Sequence, residues 1–153
     1  MSDLIHRRAQ IRRDVKALLV DLEAGHGNVF VGLSWPTGPE KLPCLVIDTP
    51  VEQVASETTT AIRQNRRQQL KVQGRVAGNN DDVILDQLDE QARQVEAKLL
   101  TAAAANALGL MAIELIGTQV APVRAETDMR VGTIELTFLC TPATIEGAPH
   151  TAV

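Results

Sequence analysis

Apolar and polar positions alternate along the chain with two distinct periods. In residues 4–23, Ile11, Val15, Leu18, Leu19 and Leu22 recur at steps of four, three, one and three, which predicts one helical stripe. Ser2 or Asp3 is the expected cap and Gly25 and Gly27 the expected stop. The opposite face carries Arg7, Arg8, Arg12, Arg13 and Lys16. Asn28-Val29-Phe30-Val31-Gly32-Leu33 and Cys44-Leu45-Val46-Ile47-Asp48 read as short strands around a Trp35-Pro36 loop, where two prolines and a glycine forbid regular structure. Residues 51–60, with their threonine run, lean towards a polar edge strand. From Gln68, Leu70, Val72, Gly74 and Val76 alternate with Gln69, Lys71, Gln73 and Arg75. This is a period of two and hence a strand with one apolar and one basic-polar face.

Gly78-Asn79-Asn80-Asp81 predicts a turn and a helix cap. Residues 82–103 are then expected to form a helix whose buried stripe is Leu85, Leu88, Ala92, Val95 and Leu99. Leu110 to Gly117 reads as a strand and Val120 to Glu126, with Pro122, as a connection. Arg130 to Thr141 reads as the closing strand, with Ile134, Leu136, Phe138 and Cys140 inward. The order is helix, three or four strands, helix, two strands. It predicts an α+β fold: a single, mostly antiparallel or mixed sheet with helices packed on one face. Residues 1–142 are expected to form one domain and 143–153 a disordered C-terminal tail.

Composition narrows function by exclusion. Two Phe, one Trp and no Tyr in 153 residues cannot both fill a core and line a ring-stacking site for sugars or unpaired bases. A net charge of −4 lacks the global basic field of a duplex binder, so nucleic acid is not expected as a partner. The longest apolar run, 107–117, contains Glu114 and is too short to span a bilayer, and Met1-Ser2-Asp3 opens a charged segment rather than a signal peptide. The expectation is an intracellular protein without membrane contact. Cys44 and Cys140 read as small buried apolar groups. His6, His26 and His150 have no metal-ligand spacing, and neither Gly-x-Ser-x-Gly nor a phosphate-binding glycine loop occurs. No catalytic residue, metal or cofactor is expected. Asp86 and Glu90, one helical turn apart, are the nearest approach to a paired-carboxylate site.

Charge placement carries more. Arg63, Arg66, Arg67, Lys71 and Arg75 lie between Ala61 and Ala77 with no acid, whereas 81–98 holds six acids against Arg93 and Lys98. The alternatives are a solvated surface with internal ion pairs, head-to-tail complementarity between copies, or phosphate contact by the basic region. The residues expected at a self-interface are Arg63, Arg66, Arg67 and Arg75 on one side and Asp86, Asp89 and Glu90 on the other.

The order of elements is itself informative. An N-terminal helix precedes Val29-Phe30-Val31-Gly32 and the Trp-Pro loop. There follow Leu42-Pro43-Cys44-Leu45-Val46-Ile47, the strand 70–76, the helix 82–100 and Ile134-Glu135-Leu136-Thr137-Phe138. From residue 4 to 141 this resembles the tail terminator proteins of long-tailed bacteriophages, of the minor tail protein U type. The resemblance implies a non-enzymatic protein that forms a hexameric ring on the tail tube and ends its polymerisation. It also implies contacts with copies of itself, the major tail tube protein and a head-tail connector, and a path from host cytoplasm to virion tail. The ending Leu139-Cys140-Thr141-Pro142 departs from the aromatic and polar ending frequent in such proteins. Related neck or tail-completion proteins share the pattern, and a small ligand-binding or enzymatic α+β domain is the alternative from another class.

Overall fold

The computed structural model describes residues 7–23, 28–31, 42–50, 52–56, 63–126, 129–145 and 148–152. The chain runs α1 (Arg7–Leu19), β1 (Val29–Val31), β2 (Cys44–Asp48), β3 (Glu52–Ser56), β4 (Arg63–Gly78) and α2 (Asp81–Leu99). It continues through α3 (Ala102–Ala107), β5 (Leu110–Glu126), β6 (Met129–Ile145) and β7 (Ala148–Ala152). The strands form one mixed sheet in the order β1-β2-β4-β6-β5, with β3 added to β4 and β7 to β6. Among the described residues only the β1–β2 pair is parallel. The fold is α+β, as the sequence pattern predicts.

The three helices among the described residues contribute to one core on one side of the sheet. The stripe of α1 is buried at Ile11, Val15 and Leu19, with Leu18 and Leu22 against its margin. Opposite it lie Leu45 and Ile47 of β2, Leu70, Val72 and Val76 of β4, and Ile134, Leu136, Phe138 and Cys140 of β6. The register puts Leu70 beside Phe138 and Val72 beside both Ile47 and Leu136, so the period-two apolar residues of three strands share one face. Arg12 donates to Thr49 Oγ1 at 2.6 Å and ties α1 to the end of β2.

α2 starts where the turn residues demand it. Asn80 Oδ1 accepts from the Asp82 backbone N–H at 2.8 Å, and Asp81 and Asp82 sit in the positive first turn. Two glycines let this helix approach the sheet. A Cβ on Gly132 would stand 2.3 Å from Ile84 Cγ2 and 2.9 Å from Leu88 Cδ1, and one on Gly74 would stand 2.2 Å from Gln91 Oε1. The buried stripe is therefore Ile84, Leu88, Gln91, Ala92, Val95 and Leu99. Leu85, expected inside, is exposed, because the glycines fix the helix with Ile84 downward.

Other boundaries differ from the sequence reading. The helix expected to reach Ala103 breaks at Leu100, and Thr101 caps a separate α3 by accepting from the Ala104 N–H at 3.0 Å. Gly109, at φ 67°, turns the chain into β5 in the left-handed conformation that suits glycine. Val120 to Glu126, expected as a connection, is the second half of β5. Pro122 is accommodated because β5 is an edge strand and its register shifts between Ala121 and Arg124. At the C-terminus, β6 runs to Ile145 and β7 pairs with it. The Trp35-Pro36 loop, the helix cap at Ser2 or Asp3 and the stop at Gly25 and Gly27 lie outside the described residues.

The long strands outreach the helix layer. At ~3.3 Å per residue β5 and β6 extend about 55 Å, whereas α2 at ~1.5 Å per residue covers about 28 Å. Thr118 and Val120 pair with Leu136 and Ile134 and so share the core-side parity, yet both are exposed.

Candidate functional site

The acidic group singled out in the sequence and the described side chains of the basic group fall on opposite sides of the sheet. Asp86, Asp89 and Glu90 are exposed on α2, away from the sheet. On β4, Gln68, Leu70 and Val72 face the core, so Arg67, Lys71 and Arg75 belong to the other, more open face, where Cys44 and Val46 of β2 are nonetheless buried. Arg67 is exposed and Arg75 half-buried. Arg63 lies opposite Ile145 and Arg66 opposite Val54 in the ladder. The basic residues are strung out: Arg67 and Arg75 are eight strand positions apart, about 26 Å.

The open face is held by cross-strand polar contacts. Glu135 of β6 accepts from Gln73 Nε2 at 2.7 Å and pairs with Lys71 Nζ at 3.2 Å. These contacts, that with Gln73 foremost, hold its carboxyl below the ordinary glutamate range against the opposing effect of burial. Arg130 pairs with Asp81 across the start of α2.

Between α2, the exit of α1 and the entrance to β2 lies a cleft of about 420 Å³. Val76 and Ala77 form its floor and Leu42 and Pro43, joined by a cis peptide bond, one wall. Glu23, Gln87, Glu90, Gln91 and Gln94 supply the polar lining. Of the seven charged residues expected at an interface, only Glu90 lines it. The others in the lining were not picked out from sequence, although Gln87, Glu90, Gln91 and Gln94 form a polar helical stripe at steps of three, one and three. Arg93 Nε donates to Glu90 Oε2 at 2.9 Å, and Gln94 Nε2 donates to Glu90 Oε1 at 3.0 Å. Arg93 first, then Gln94, pull the Glu90 carboxyl down to about 2. Those two contacts hold Glu90 as an anion at the rim of the cleft.

The cysteines have no chemistry in common. Cys44 lies beside Arg75 and Cys140 beside Gln68, seven positions along β4 or about 23 Å, and on opposite faces of the sheet. Both are buried thiols outside any disulfide, and burial pushes the Cys44 thiol up to about 11 despite the nearby Arg75. Among the described residues no group of three or more His, Cys, Asp or Glu is placed to hold a metal ion. His6 and His26 lie outside them, and His150 falls in β7. No helix among the described residues is long and apolar enough to cross a membrane.

No family model matches the chain, and no curated protein matches it in sequence. In fold it is similar to a chain of the virion of a native gene transfer agent particle. The two are 15% identical, the match covers 91% of this chain and 92% of that one, and the TM-score is 0.53. At this identity the likeness is one of fold.

Proposed function

We propose that this chain is a structural, non-enzymatic component of a phage-like virion particle. The reading rests above all on the fold shared with a gene transfer agent virion chain over nine-tenths of both lengths. Within such a particle the role is that of a tail terminator: a ring, hexameric by the family resemblance, that sits on the tail tube and ends its growth. The ring's other side meets the head-tail connector. The chain is made in the host cytoplasm and ends in the virion tail. What supports this finer reading is the order of elements noted in the sequence, together with acidic and described basic side chains on opposite sides of one sheet. Deleting the gene in a producing strain tests it. The expected result is tubes of uncontrolled length without heads, seen by negative-stain microscopy, with the chain at the head-proximal end of normal particles by immunogold labelling. Particles of normal length and joining in the deletion strain overturn the terminator role, and absence of the chain from purified particles overturns the virion reading.

A further inference from the structure

The cleft and the basic end of β4 are chemically complementary and cannot meet within one copy. The cleft is lined by two carboxylates, Glu23 and Glu90, the latter shared with Arg93 of its own helix in an exposed pair that can exchange, by amides from Gln87 and Gln94, and by an apolar wall and floor of Leu42, Pro43, Val76 and Ala77. This combination suits arginine. A guanidinium's planar, forked donors match carboxylate and amide oxygens, and its aliphatic stem suits an apolar wall. The complement is on the antiparallel arm formed by β3 and the first residues of β4, paired from Ser56 opposite Gln64 to Glu52 opposite Gln68. The return strand of this arm begins with Arg63, Arg66 and Arg67, and no acid follows until Asp81.

Geometry excludes an internal contact. Gly74 lies beneath Gln91 at the cleft, and Arg67 is seven positions further along β4, about 23 Å away and on the face turned from α2. No arginine side chain spans that gap. We infer that the arginine-bearing β3–β4 arm of one copy seats in the α2–Pro43 cleft of the next. The inference rests on the self-assembly contained in the proposed function and names where it occurs. Arm and cleft are different patches at different ends of β4. The contact is therefore heterologous, and repeated it closes into a ring or runs on as a filament. It also divides the seven residues marked by charge: Arg63, Arg66, Arg67 and Glu90 belong to this interface, and Glu23 joins them. Arg75, Asp86 and Asp89 stand outside it.

Amide spectra of the ¹⁵N-labelled chain, recorded in low salt from micromolar to millimolar concentration, test the contact. The expected result is that signals of Gln87, Glu90, Gln91 and Gln94 move together with those of residues 63–68, and that the shifts fade at high ionic strength. The paired reversals Glu23→Lys with Glu90→Lys, and Arg66→Glu with Arg67→Glu, are each expected to weaken self-association about tenfold or more. An equimolar mixture of the two is expected to restore it, because each then supplies the charge the other lacks. Shifts confined to another surface, or none at millimolar concentration, overturn the inference on the parent chain alone, whatever the variants do. So does failure of the mixture to recover when both partners retain their far-ultraviolet circular dichroism. Particle morphology in the deletion strain is read separately, so arm-to-cleft association in a chain absent from particles removes only the virion reading.

Discussion

The two faces of the sheet are stabilised in opposite ways. On the helix-covered face, contact is set by size: Gly74 and Gly132 leave room for Gln91, Ile84 and Leu88, and the cost of error is steric. On the open face, Lys71, Gln73 and Glu135 are joined by hydrogen bonds and charge across strands at partly exposed positions. A closed interface tolerates little change in volume, whereas a wet one tolerates loss of a partner. The covered face therefore fixes the fold and leaves the other surfaces free to vary in charge.

Gly132→Val separates the faces most sharply. Its first added carbon would lie inside the contact distance of Ile84, so α2 must lift. The expected loss is about 3 kcal/mol of unfolding free energy by denaturant titration. A loss under about 1 kcal/mol would mean that the helix sits less tightly on the sheet than described.

On the open face, Glu135→Gln is expected to cost only about 0.5–1 kcal/mol at neutral pH, since the pair is partly exposed. Its pH dependence sharpens the comparison. The folded carboxyl titrates below its ordinary value of 4.5, so its contribution is complete above that value. It is lost as pH falls below 4.5 and through the lower folded value. The difference in stability between parent and variant should shrink across that range, and a difference that instead grows on acidification contradicts the assigned contacts. The smallest effect belongs to Gly117→Ala near the middle of β5, where nothing lies within 4 Å of the added carbon. The denaturation midpoint should change by the equivalent of less than about 0.5 kcal/mol.

The same contrast explains what was legible in the sequence. Ile11, Val15 and Leu19, and the alternating residues of β4 and β6, each see a single neighbouring layer, so local periodicity alone identifies their buried side. Ile84 and Leu85 are adjacent and both fit a spacing of three or four to later apolar positions. The close approach of Ile84 to Gly78 and Gly132, the latter distant in sequence, decides between them together with Gly74 under Gln91. Pro122 argues against a strand until β5 is known to be an edge with a shifted register there. The charge asymmetry was visible from the outset, but the cleft was not. It forms where Pro43, Val76 and Gln87 converge from three elements, and its amide-bearing residues carry no charge to draw notice.

β4 has a mechanical consequence. Antiparallel partners hold both of its edges: β2 and β3 in succession on one side, β6 along nearly all of the other. Ladder hydrogen bonds in such pairs run perpendicular to the strand. A pull along its axis thus loads many of them in shear at once instead of opening them one by one. Tension applied at the β3–β4 arm is passed down this strand to the sheet beneath α2 without first peeling the helix away. The strand that spaces arm from cleft also serves as the tie rod between them.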